Sequence, residues 1–133
     1  MEVFKMSYYF NKVVNMSFDE AIIKVTEELK KEGFGVLTQI NVKEALKKKI
    51  NVDFRKYQIL GACNHQYAHK ALQAEDKIGT MLPCNVVVQE RDDGKVEIAA
   101  VDPVASMQSV QNESLGEIAT MVQSKLKQVI ENM

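Results

Sequence analysis

Apolar residues recur along the chain with two periods, and the switching between them outlines the elements. Tyr8-Tyr9-Phe10-Asn11-Lys12-Val13-Val14 is rich in aromatic and β-branched residues and predicts a first strand. Ser17 opens Ser-Phe-Asp-Glu, a capping box with Glu20 three residues on. Phe18, Ile22, Val25 and Leu29 follow at helical spacing as an apolar stripe, and Gly33 supplies a left-handed stop. A second strand is expected over 35–41, with Val36, Thr38 and Ile40 alternating against Leu37 and Gln39. A brief basic helix follows over 42–50, then a polar connection over 51–56.

The second half repeats the logic. Tyr57 to Cys63 reads as a third strand, Asn64 as the cap of a helix over about 65–73, and Cys84 to Glu90 as a fourth strand. Asp92-Asp93-Gly94 is a hairpin turn signal, because Asp and Gly tolerate positive φ. The chain should therefore return over 95–101, antiparallel to the fourth strand. Asp102-Pro103 is a cap followed by a first helical residue, opening a short helical piece toward Val110. From Glu113 to about Ile130, Leu115, Ile118, Ala119, Val122, Leu126 and Val129 mark the buried face of an amphipathic helix. Strands and helices in this order, with a hairpin late in the chain, give an α+β fold whose mixed or antiparallel sheet carries helices on one face.

Composition narrows the function without naming it. The 133 residues suit one domain over 1–133, with a core at about 7–131 that needs neither metal nor disulfide to fold. Hydrophobic residues at 46% and charged residues at 26% are ordinary for a packed protein. The net charge of −1 argues against a surface built to embrace nucleic acid. No apolar run approaches the roughly 20 residues of a membrane helix. Met1 to Met6 lacks the apolar stretch and cleavage site of a secretory signal, so the cytoplasm is the expected compartment, with Met1 or Met6 as the start.

The motifs Gly61-Ala62-Cys63-Asn64, His69, Ile78-Gly79 and Leu82-Pro83-Cys84-Asn85-Val86-Val87-Val88 resemble the family catalogued as domain of unknown function 302. Gly33-Phe34-Gly35-Val36-Leu37, Asp53-Phe54-Arg55 and Asp102-Pro103 fit it as well, so the resemblance runs from about Tyr8 into the last helix. It implies a curved, mostly antiparallel sheet with helices on one side, like the TATA-binding-protein half-repeat. It also implies bacterial or archaeal cytoplasmic occurrence and a homodimer. It implies no activity, and the fold likeness does not bring DNA binding with it. The family has proline directly after Ala-Cys-Asn, where this chain has His65; His69 stands where the family has a histidine.

Four side chains invite a metal reading. His65 and His69, at i and i+4, share a helical face, and Cys63 ends one strand while Cys84 begins another. Two thiolates and two imidazoles at one sheet edge would suit tetrahedral zinc. Against this, strand cysteines are commonly packed core residues, and Cys-x-x-Cys pairs are missing. No cofactor is therefore the leading expectation. A redox pair of Cys63 and Cys84 needs Cα atoms within about 7 Å, and Cys63, just before a helix N-terminus, would be its more reactive thiol.

A ligand pocket is the third reading, with Cys63, Asn64, His69, Cys84, Asn85 and Asp102 converging at element ends. The plainer alternative makes Asn64 and Asp102 helix caps and Asn85 a strand-edge hydrogen-bond partner. Lys43, Lys47, Lys48, Lys49, Arg55 and Lys56 form a basic stretch, read as a solvated face before a nucleic-acid patch. What remains is a small binding or interaction module, with a small-molecule ligand near the two Cys-Asn motifs. A thiol- or metal-dependent enzyme using Cys63 and Cys84 is the alternative, and a purely structural homodimer the second alternative.

Overall fold

Residues 7–133 are described by the structure, a computed structural model. The expectations placed on Met1 to Met6 lie outside the described residues. Strands β1 (Tyr9–Val14), β2 (Gly35–Asn41), β3 (Tyr57–Cys63), β4 (Cys84–Glu90) and β5 (Val96–Val101) form one open sheet, ordered β1-β5-β4-β3-β2. Every neighbouring pair is antiparallel. The helices are α1 (Phe18–Lys31), α2 (Val42–Ile50), α3 (His65–Ala74), α4 (Pro103–Ser106) and α5 (Glu113–Glu131), with a 3-10 turn at Ile78–Met81. The chain thus adopts the α+β fold that its periodicity predicts, with all sheet pairings antiparallel.

Local chemistry sets the element ends. Ser17 Oγ accepts from the Glu20 amide at 3.1 Å, the serine arm of the expected capping box. At the other end of α1, Gly33 takes φ +87° and Phe34 N–H reaches back to the Leu29 carbonyl at 2.9 Å. That is a Schellman stop, satisfying carbonyls the helix leaves free. Helix α2 ends the same way with Asn51 at φ 56°, a residue whose short polar side chain tolerates this region. The Asp-Asp-Gly turn joins β4 to β5 through an Arg91 N–H to Lys95 carbonyl bond of 2.7 Å.

Period-2 alternation divides the sheet into a covered and an open face. The covered face carries Leu60, Ala62, Cys84, Val86, Val88, Val96, Ile98 and Ala100, packed against Ala21, Val25 and Leu29 of α1 and Val122, Leu126 and Val129 of α5. A second cluster gathers Ala71, Ile78 and Leu115 with Leu82, Met107 and Val110. The α1 stripe sits slightly round from the expected one: Ala21 is fully buried, while Phe18 and Ile22 are half-buried at its margin. Strand β2 departs from simple alternation, because a bulge between Val36 and Thr38 returns Thr38 and Ile40 to the same face as Gly61 and Ile59. Among the described residues no helix is long and apolar enough to cross a membrane.

Candidate functional site

The two Cys-Asn motifs do meet. Strands β3 and β4 lie side by side and antiparallel, with Ala62 opposite Cys84 and Gly61 opposite Asn85. The residues drawn together by the sequence nevertheless separate around this junction. Cys84 shares the phase of Val86 and Val88 and is buried on the covered face. Cys63 shares the phase of Tyr57 and Ile59, pairs with Gly35, and is only half-buried at the end of its strand. The expectation that both thiols point to the core therefore holds for Cys84 alone.

His65 and His69 both lie on exposed positions of α3. Among the described residues, no three His, Cys, Asp or Glu side chains come together as a metal would require. The set Cys63, His65, His69 and Cys84 is thus not assembled: two of its members stand in solvent while a third is sealed in the core. The thiols are also tuned away from thiolate chemistry. Burial pushes the Cys63 thiol up, and burial with neighbouring Cys63 pushes Cys84 up to about 11.

That environment predicts how the thiols behave. At pH 8 an aromatic disulfide reagent should modify Cys63 more slowly than a free thiol, and Cys84 only after unfolding. The raised pKa of Cys84 favours the folded state below its ordinary value of 9.0. This contribution should be lost as pH rises from about 9 toward 11, in wild type but not in Cys84→Ala. Rapid native-state labelling of Cys84 would contradict its placement.

Asn64 and Asp102 hold the framework together. Asn64 occupies the N-cap position of α3, but its side chain makes no cap bond. Instead Nδ2 donates to the Glu32 carbonyl at 3.3 Å, tying α3 to the turn after α1. Asp102 is a cap as expected: its Oδ1 accepts from the amides of Val104 at 3.0 Å and Ala105 at 3.4 Å, and also from Gln123 Nε2 at 3.0 Å. Cys63, Asn64 and Cys84 do border one crevice with Phe34 and Tyr67, yet its volume is about 30 Å³. A space of that size takes little more than a water molecule.

A hollow of about 390 Å³ lies on the open face. Tyr8, Tyr9 and Tyr57 line it, together with Asn85, Gln89 and Glu97 over a floor including Val87, Ala99 and Val101. Register explains the assembly. Tyr9 pairs with Val101, Ala99 with Val87, and Glu97 with Gln89, which pairs in turn with Tyr57. A polar chain runs across one side of the hollow. Asn11 Nδ2 donates to Glu97 Oε2 at 2.8 Å, Gln89 Nε2 to Glu97 Oε1 at 3.2 Å, and Arg55 Nε to Gln89 Oε1 at 2.9 Å. The Arg55 guanidinium also lies over Phe54 at 4.4 Å and Tyr57 at 5.5 Å. Of the residues singled out from the sequence as ligand-binding, only Asn85 belongs to this site.

The basic stretch is partly engaged within the molecule. Lys47 bridges Asp53 at 3.0 Å, and Lys43 donates to the Phe54 carbonyl at 3.0 Å. Helix α2 itself has no buried residue.

An open antiparallel sheet with helices on one face and an aromatic hollow on the other defines a small α+β protein. The family model described as "Domain of unknown function DUF302" matches residues 10–133, and the chain belongs to that family. It is similar to a solved structure, an uncharacterized conserved DUF302 protein from Bacillus stearothermophilus, at 31% identity and a TM-score of 0.88. The match covers 95% of this chain and 98% of that one. No curated protein matches the chain.

Proposed function

We propose that the protein is a small binding module that takes a small-molecule guest on the open face of its sheet. The observation that carries this reading is the hollow of about 390 Å³ beside Tyr9, Tyr57, Asn85 and Glu97. Its volume falls in the range of about 300–1,000 Å³ typical of ligand sites, and its lining combines an apolar floor with a few polar groups. The neighbouring Cys-Asn motifs serve it mainly as support, since Gly61 and Asn85 bring β3 and β4 together at one end of the face.

The test is a fragment screen followed on isotope-labelled protein by NMR. Small aromatic compounds should shift the amides of Tyr57, Val87, Ala99 and Val101 together and saturably. Shifts confined to α1 and α5, or absent from the sheet throughout, would sink the reading.

A second copy of the chain is the other occupant that the exposed surface supports. Leu37 and Ile40 stand exposed on β2, whose outer edge has no strand partner in the sheet. Unpaired edges of this kind invite strand addition. Sedimentation at increasing protein concentration separates the cases: a dimer that forms without altering the sheet-face amides leaves the hollow for a guest.

A further inference from the structure

Resting on the binding-module reading, we infer that the guest is a small organic cation: an amine with an apolar or aromatic body. Glu97 is a half-buried carboxylate on the open face near the β4–β5 hairpin, on a strand paired on both sides. Both of its oxygens accept hydrogen bonds, but the donors are the neutral amides of Asn11 and Gln89. Among the described residues the ion pairs are Lys31–Glu28, Lys47–Asp53, Lys77–Asp76 and Arg91–Asp93, so Glu97 has no cation of its own.

Arg55 comes nearest in the hydrogen-bond chain, yet its Nε goes to Gln89 and its guanidinium covers Tyr57. The two amides therefore aim the carboxylate without neutralising it. An ionised carboxylate offers about four lone-pair sites, and two are used here.

The rest of the lining favours the same class. Tyr8 and Tyr9 meet edge to face at 5.0 Å, which leaves aromatic surface presented to the hollow. Aromatic faces attract ammonium and guanidinium groups through the ring quadrupole. Val87, Ala99 and Val101 give an apolar body a surface to lie on. An anion would meet Glu97 directly, and a neutral guest would leave the carboxylate uncompensated in a partly desolvated site.

Three matched probes test this: phenethylammonium, 2-phenylethanol and phenylacetate, titrated by NMR into the full chain and into Glu97→Gln. The ammonium probe should shift the Val87, Ala99 and Val101 amides and bind at least about tenfold more tightly than the alcohol or the carboxylate, a difference of about 1.4 kcal/mol. Glu97→Gln should abolish that preference while leaving the dispersion of the spectrum intact, and added salt should weaken the ammonium probe selectively. Equal binding of ammonium and alcohol, unchanged in Glu97→Gln, would overturn the cation assignment but leave the open face as the binding surface. Failure of all three probes would also overturn it; the fragment screen then decides separately whether the face binds anything. Met121→Ala, on an exposed position of α5 outside the lining of the hollow, should retain the preference, so that its loss in Glu97→Gln is not a general effect of substitution.

Discussion

Gly61→Val is expected to destabilise the protein by about 3 kcal/mol or more, read as a lower urea midpoint with an unchanged slope. Gly61 lies between Thr38 of β2 and Asn85 of β4. A Cβ on it would collide with Thr38 Oγ1 and stand 2.8 Å from Pro83 Cγ. Neither neighbour yields easily: Pro83 is a ring, and Thr38 is β-branched and stiff at χ1. Valine adds two further carbons to the same space. Gly61→Ala should show the same effect in smaller measure. Thr38→Ala should recover part of the loss in the double variant, since it removes the closest atom, and that coupling identifies the collision as the cause. Wild-type stability in Gly61→Val would mean that β2 does not approach β3 as closely as described.

Leu126→Ala should cost about 3–4 kcal/mol. Leu126 is 0% exposed, in the cluster where α5 meets α1 and the covered face. Removing its branched end leaves a cavity bounded by two helices and a sheet, elements that cannot collapse independently. Met121→Ala on the same helix makes the control. Met121 is 51% exposed, and its truncation should stay within about 0.5 kcal/mol. If both variants unfold at the same denaturant concentration, α5 does not pack on the face assigned to it.

Much of the fold was legible in the sequence because its cues are local. Capping at Ser17, the stop at Gly33, the Asp-Asp-Gly turn and the period of α5 each depend on residues a few positions apart, and each appears where expected. The 3-10 turn at Ile78–Met81 and the bulge after Val36 were not legible. A single turn has no period to detect, and a bulge depends on the strand opposite.

The site was harder for a related reason. Tyr9, Tyr57, Val87 and Glu97 come from four strands and meet only through register. One signal was available: counting outward from the hairpin turn pairs Glu90 with Val96 and Gln89 with Glu97, placing an amide and a carboxylate on one face. The cysteines and histidines drew attention by residue type instead. Chemistry inferred from residue type carries no information about which face of a sheet a side chain takes. At Cys63 and Cys84, one step of register sends neighbouring thiols in different directions.

Helix α2 contributes nothing to either buried cluster, and this gives the molecule an uneven mechanical character. The stretch from 42 to 56 is a bracket joined to an outer strand at the Asn41 cap and braced within itself by the Lys47–Asp53 pair and the Lys43 bond to Phe54. Opening it exposes little apolar surface, so it is the part of the chain best able to detach while the sheet stays whole. For anyone wishing to splice in a tag, a reporter or a second protein, the α2–β3 connection is the natural seam. An insertion there costs chiefly loop-closure entropy, which grows only slowly with the length added.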